Sequence, residues 1–332
     1  MRVHDDDALF GEDLEVLDII DFGFPRRIYP RSNHFHQMDQ LTFFQRFRLR
    51  KETVLNILIN IEDQLEYASD MNNSVTPMDQ LLTSLRFYAS AGHLASIADF
   101  MGMHLSTASR VIQRVSRVLA NLSQQHIHMP AGNDLARVQN EYYNIARFEE
   151  KMLRCFVTGK LIIKLRICDI VARWPGSTHD MTIFANSRIK ARFDAREFGN
   201  AILLGDSGYA LSPYLMTPIL NPNTHAEQLH NESHIRTRNI VERLFGVWKR
   251  RFPVLAYGLR LQLNTVLAVI VATAVLHNIA REMNEEEPPL PINMQENQMN
   301  RLIEEGNVRI PNGNPENIHA SRNELIQYFN NL

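Results

Sequence analysis

Glu242 is the one carboxylate between Glu232 and Glu282, a window that also holds Arg236, Arg238, Arg243, Lys249, Arg250, Arg251, Arg260 and Arg281. An acid inside a basic helix repels the phosphates its neighbours attract, so it suits poorly a surface that only grips DNA. It suits a site where the acid holds a divalent ion against a phosphate while the arginines hold the strand. Asp206 is a second isolated acid, in Leu204-Gly-Asp-Ser-Gly-Tyr209. It follows the apolar run 201–204 and so stands at the C-terminal mouth of a buried strand, the edge at which α/β sheets bind ligands. Gly205 and Gly208 would let a bulky charged partner approach the backbone there. Asp206 and Glu242 together could supply most of the oxygens that hold Mg²⁺ or Mn²⁺ for phosphodiester hydrolysis, with a third acid usually needed. The plainer alternatives are a turn cap for Asp206 and a salt bridge from Glu242 to Arg238, four residues away on the helix.

These residues need elements to position them. Helical spacing runs through Leu41, Phe44 and Phe47, then Val54, Leu58, Ile61 and Leu65. Thr76 reads as an N-cap with Pro77 at the first helical position. From Leu94 a short helix ends at Gly102, and Ser106 reads as the cap of a second helix. That second helix carries Arg110, Arg114 and Arg117 on one face and Val111, Val115 and Val118 on another. This is the layout of a DNA-binding helix-turn-helix; the alternative is a small bundle whose arginines are solvated. Further on, 153–158 and 161–167 read as a hairpin and 169–174 as a third strand. A helix from Ile183 to Ile189, the strand before Asp206, a proline-punctuated loop (213–222), a basic helix (235–250) and an apolar helix (266–281) follow. The second half is therefore α/β.

The domains expected are an acidic, largely disordered arm (1–38), a helical region with the helix-turn-helix (39–122), a connector (123–147), a catalytic α/β domain (148–283) and a polar tail (284–332). Among the 332 residues, 45% are hydrophobic and 22% charged, as in an ordinary soluble globular protein. Net charge is −2, so nucleic-acid binding must come from local basic faces. Residues 1–22 hold eight acids against one arginine, an arm that could compete with DNA for those faces. Two cysteines, Cys155 and Cys168, support neither a disulfide framework nor a zinc site and fit a reducing compartment. The longest apolar run, Val266 to Leu276, is 11 residues against about 20 for a membrane span, so it reads as a buried helix. His225, His230 and His234 read as a solvated loop, and His277-Asn278 as a buried pair.

The motifs Pro175-Gly-Ser-Thr-His-Asp180, Leu204-Gly-Asp-Ser-Gly-Tyr209, Tyr214-Leu-Met-Thr-Pro218, Asn239-Ile-Val-Glu-Arg-Leu-Phe-Gly-Val-Trp-Lys249 and Leu276-His-Asn278 stand in one order. That string resembles the DDE endonucleases of PIF/Harbinger transposons and their domesticated relatives, with coverage from about Phe43 to Arg281. The resemblance implies an RNase H-like nuclease domain, a divalent metal cofactor (Mg²⁺ or Mn²⁺), hydrolysis of DNA in the nucleus, with the cytoplasm as a second compartment, and a separate Myb/SANT-like DNA-binding partner. It maps Asp206 and Glu242 onto the second and third catalytic acids.

The first catalytic acid of that family sits on the first strand, in a Gly-x-x-Asp-x-Thr-His-like motif. Here no such motif exists and Lys151 to Arg166 contains no acid. The first strands therefore read as truncated, by a lost exon or decay of the copy. Asp180 and Asp169 are the candidate replacements, Asp180 as a tentative metal ligand or a helix cap and Asp169 as a strand residue. Arg236, Arg238, Arg243, Lys249 and Arg250 are the expected phosphate contacts of the basic helix, and Arg110, Arg114 and Arg117 those of the helical region. The expected function is a transposase-derived, metal-dependent DNA endonuclease impaired by the missing aspartate. The alternative is a non-catalytic DNA- or protein-binding module on the same scaffold.

Overall fold

The computed structural model describes residues 29–68, 74–90, 92–129, 152–157, 160–163, 165–174, 177–199, 201–257, 259 and 261–289, with the side chains of 152–163, 237 and 238 outside that description. The first 28 residues, most of the connector, Pro175-Gly176 and the tail beyond residue 289 lie outside it. The chain forms two compact units divided between Val118 and Leu119.

The first unit is helical: α1 (His34–Gln37), α2 (Gln40–Phe47), α3 (Lys51–Leu65), α4 (Pro77–Ser90), α5 (Leu94–Met101) and α6 (Leu105–Asn121). Its apolar positions recur every three or four residues and bury Phe43, Phe47, Val54, Ile61, Leu81, Leu85, Val111 and Val115. His34 is already buried on α1, so order begins inside the segment read as an arm ending at residue 38. Asp39 accepts from the Thr42 N–H at 2.9 Å and Thr76 from the Asp79 N–H at 3.1 Å, capping α2 and α4. Tyr88 and Ser116 hydroxyls meet at 2.6 Å and tie α4 to α6. α5 ends at Gly102, whose φ of 62° is left-handed and whose added Cβ would stand 2.4 Å from the Pro30 carbonyl oxygen. The cap of α6 differs from expectation. The helix starts at Leu105, and the ring Nδ1 of His104 accepts from the Ser106 N–H at 3.3 Å.

The second unit opens with α7 (Ser123–His126) and is built on a five-stranded sheet: β1 (Met152–Val157), β2 (Lys160–Ile163), β3 (Arg166–Ile170), β4 (Ile202–Leu204) and β5 (Leu215–Met216). The strand order is β3-β2-β1-β4-β5. β1, β2 and β3 form an antiparallel meander, whereas β1, β4 and β5 run parallel. The meander is complete as three strands, and each of its strands is shorter than or shifted from its expected range. β5 lies in what reads as a loop. At two residues it leaves no alternation to detect, and it is held by Leu203 N–H to Tyr214 O (2.6 Å) and Gly205 N–H to Met216 O (2.8 Å).

The helix expected from Ile183 to Ile189 is two, α8 (Asp180–Ala185) and α9 (Arg188–Asp194), because Ser187 caps the second by accepting from the Lys190 N–H at 3.2 Å. The basic helix α10 (His225–Arg251) begins ten residues earlier than its basic stretch. A capping box between Thr224 and Glu227 starts it. The three histidines read as a solvated loop are therefore helical, and His230 and His234 are fully buried with ring centroids 6.2 Å apart. α11 (Val254–Tyr257) and α12 (Leu263–Glu282) complete the unit. α12 is long and apolar enough to cross a membrane by composition, but its residues 272–280 are all buried in the unit.

The His277-Asn278 pair has a structural task. His277 Nε2 donates to the Leu165 carbonyl at 2.7 Å, and burial holds this ring neutral, with its pKa pushed down to about 3. Asn278 accepts from the Ile167 N–H (2.9 Å) and donates to the Ile167 and His126 carbonyls (2.7 Å each). The side chain thus pairs the open edge of β3 as another strand would. Asn278→Ala leaves three backbone groups unpaired. It should lower the stability of this unit by about 2–3 kcal/mol, read from the urea midpoint of the full chain.

Candidate metal and nucleic-acid site

Asp206 sits two residues beyond the end of β4, in a tight turn that its own side chain closes. Its Oδ1 accepts from the Gly208 N–H at 2.9 Å, and the Tyr209 N–H donates to its carbonyl at 3.2 Å. The flanking glycines serve this turn instead of clearing space for a ligand. A Cβ at Gly205 would stand 2.9 Å from the Tyr209 ring, and one at Gly208 would stand 3.1 Å from Asp206 Oδ1. Tyr209 is buried in an apolar cluster with Leu203, Leu215, Phe184 and Phe193, which anchors the turn to the sheet.

α8 is fixed against the same turn. Phe184 meets Tyr209 edge to face at 5.9 Å, and the Ala210 N–H reaches Met181 Sδ at 3.1 Å. Asp180 is the first residue of α8, while the N-cap is His179 without a side-chain cap bond, so the helix-cap reading of Asp180 is corrected. Burial and then the charge of Asp206 push the Asp180 carboxyl above its ordinary value, against the opposing charge of His179. α8, which begins at Asp180, is thus packed against the Asp206 turn at the end of β4, and the charge of Asp206 acts on the Asp180 carboxyl. Two carboxylates whose charges repel are stabilised by a cation shared between them, and these residue types are hard oxygen donors suited to Mg²⁺ or Mn²⁺.

Glu242 stands on the exposed side of α10 between the buried Val241 and Leu244. Its neighbour Ile240 packs on the apolar cluster that backs the Asp206 turn. Among the described residues no three of His, Cys, Asp or Glu are gathered as a metal site, so Glu242 is not brought together with Asp180 and Asp206. Asp169 goes elsewhere. On β3 its Oδ2 is buried without a hydrogen-bond partner among the described residues, and the charges acting on it come from Arg188 and Arg192 of α9.

Burial raises the Asp169 carboxyl to about 6, partly opposed by Arg188, the Ile170 N–H and Arg192. A raised value means the folded chain holds the proton more tightly than the unfolded one. Stability is then greatest below about pH 4 and falls as pH rises through 6, by up to about 3 kcal/mol. Asp169→Asn should raise the melting temperature at pH 7.5 and leave it unchanged at pH 4. An equal shift at both values would remove ionisation as the cause.

The basic stripe of α10 is partly neutralised. Arg236 pairs with Glu232 at 3.3 Å, an exposed contact within one helix face. Arg243 and Arg250 share one carboxylate, Glu287, at 3.0 and 3.7 Å, one oxygen each. Arg251 is fully buried, pairs with Glu285 at 2.8 Å and donates to the Glu286 carbonyl at 2.7 Å. Lys249 is exposed, and the Arg238 side chain lies outside the described residues. Sequence reasoning missed this acidic strap because it lies 34 to 44 residues from its partners, just beyond the carboxylate-poor window. In the first unit, Arg114 differs from expectation too. It donates to the Gln64 and Glu66 carbonyls at 2.8 and 3.0 Å, closing the C-terminus of α3, and lies over Tyr67. Arg110 and Arg117 are exposed.

Comparison with known proteins agrees with the motif order. Residues 150–278 match the family model described as DDE superfamily endonuclease. The chain is 29% identical over 250 residues to the protein named "Putative nuclease HARBI1" of Bos taurus, covering 66% of this chain and 71% of that one. It is 27% identical over 248 residues to HARBI1 of Homo sapiens, with the same coverage. It is 24% identical over 317 residues to the protein ALP1-like of Arabidopsis thaliana, covering 80% and 75%. No solved structure matches the chain.

Proposed function

We propose, for a chain whose residues 150–278 form a DDE superfamily endonuclease domain, that it is a transposase-derived, metal-dependent DNA nuclease whose cleavage is weakened by the missing first acid. The observation that carries this reading is the packing of α8, which begins at Asp180, against the turn that holds Asp206 at the end of β4. The β3-β2-β1-β4-β5 order, an antiparallel meander continued by two parallel strands, supports an RNase H-like assignment.

Asp206 and Asp180 would hold the divalent ion, with Glu242 as the acid supplied by α10. Such an ion, when bound, polarises the scissile phosphate and lowers the pKa of a water nucleophile. The chain's own part is orientation. The Gly208 N–H fixes the Asp206 carboxylate, whereas Asp180 has no hydrogen-bond partner among the described residues and is available to a ligand. Arg236, Arg238 and Lys249 would contact backbone phosphates, and Arg243 and Arg250 would exchange Glu287 for a phosphate. The α5–α6 pair would act as a helix-turn-helix with Arg110 and Arg117 toward DNA. Nuclear action and a Myb/SANT-like partner belong to the same reading.

The weakness of the site lies on β1. Its residues, Met-Leu-Arg-Cys-Phe-Val, include no carboxylate. Cys155 pairs with Leu204, and the same parallel register continued by two residues sets Val157 level with Asp206. This favours, as second reading, a DNA- or protein-binding module without cleavage. Nicking of supercoiled plasmid in Mg²⁺ or Mn²⁺ separates the two. Slow wild-type nicking abolished by Asp206→Ala and by Glu242→Ala supports the nuclease. Nicking indifferent to both rejects these residues, and none at all leaves the binding module.

A further inference from the structure

The first unit contains a cationic cluster that the nuclease site does not use. Phe100, near the end of α5, is stacked by His34 with ring centroids 4.5 Å apart and planes 5° apart. The guanidinium carbons of Arg86 and Arg46 stand 5.0 and 5.8 Å from the centroid of the same ring. Arg86, on α4, also donates to the Arg46 carbonyl at 3.2 Å, near the C-terminus of α2. Its Nε is buried with no hydrogen-bond partner among the described residues. Burial, and then the charges of Arg46 and Arg48, push the Arg86 guanidinium below its ordinary value.

Neither Arg46 nor Arg86 has a carboxylate partner among the described residues. The enclosed arginines of the second unit are treated differently: Arg250 has Glu287 and Arg251 has Glu285. Gathering like charges and burying a donor without an acceptor both cost stability. The aromatic face offsets only about 0.5–2 kcal/mol of that. Arg46 is exposed and Arg86 half-buried, so an external anion with several oxygens would neutralise the charge the two carry together.

We propose that Arg46 and Arg86, set around Phe100, form a phosphate site for the backbone of duplex DNA, with Arg48 adding charge nearby. The assignment to DNA rests on the helix-turn-helix reading above. Phe100 belongs to the first helix of that pair, the one that crosses the phosphate backbone while the second enters the groove. The site is separate from the arginines of α10 and needs no metal.

The test is the salt dependence of full-chain binding to a random-sequence fluorescent duplex, measured by anisotropy in EDTA. Each phosphate contact contributes about −0.9 to the slope of log K against log salt, so Arg46→Gln/Arg86→Gln should flatten it by about 2. A folded double variant with an unchanged slope overturns the proposal. Should that variant fail to fold, the unaltered chain is labelled with phenylglyoxal and read by mass spectrometry. Loss of Arg46 and Arg86 reactivity on adding duplex supports the site, and equal labelling overturns it. Protection by poly-glutamate as strong as by duplex of equal charge would assign the site to an acidic protein and also overturn it. A chain that never cleaves but shows the slope change supports this site, whereas one that cleaves with an unchanged slope overturns this site alone.

Discussion

The full chain carrying Val157→Asp should nick supercoiled DNA in Mg²⁺ or Mn²⁺ on the order of a hundredfold faster than the unaltered chain. The expectation follows from the strand register. β1 and β4 run parallel with Cys155 beside Leu204, and that register carried two residues further would set Val157 level with Asp206. An acid there would add the oxygen donor that β1 lacks to the pair formed by Asp180 and Asp206. Because a carboxylate in a central strand is costly where no cation reaches it, the variant should also be less stable in EDTA and recover stability with the ion. Faster cleavage must be abolished again by adding Asp206→Asn to the same chain. No gain in rate from a folded Val157→Asp chain would mean that the loss of activity lies elsewhere than at this strand position.

Arg251→Met should lower the stability of the second unit by about 3–5 kcal/mol, because it removes the buried guanidinium that pairs with the buried Glu285 carboxylate. Both side chains are fully enclosed and 2.8 Å apart, and Arg251 also takes the Glu286 carbonyl. The pair binds the strap after α12 to the end of α10, so breaking it should also loosen Glu287 from Arg243 and Arg250. Removing both charges, Arg251→Met with Glu285→Leu, should recover most of the loss. The check is a double-mutant cycle from urea unfolding. A loss under about 1 kcal/mol for the single variant would show that water reaches Glu285.

The sequence carried the helices of the first unit well, because their apolar spacing, the Thr76 cap and the Gly102 stop are local signals. It also carried the meander, the strand before Asp206 and the long basic helix. What it lost are relations between distant residues. The strap acids Glu285 and Glu287 look like the start of a tail until folding lays them along α10. Arg114 falls on the basic face of α6 by periodicity, yet the end of α3 claims it. Asp180 reads as a cap from its place at a helix start. Only the packing of Met181 and Phe184 against the Asp206 turn shows what it faces. His230 and His234 read as loop because polar residues surround them, whereas the capping box at Thr224 places them on the buried side of a helix.

Mn²⁺ titration of the full chain, followed by electron paramagnetic resonance of the free ion, tests the shared carboxylate site most directly. One saturable site lost in both Asp206→Asn and Asp180→Asn, and retained in Asp169→Asn, is the expected result. Binding unaffected by Asp206→Asn and Asp180→Asn, or lost only with Asp169→Asn, would contradict it.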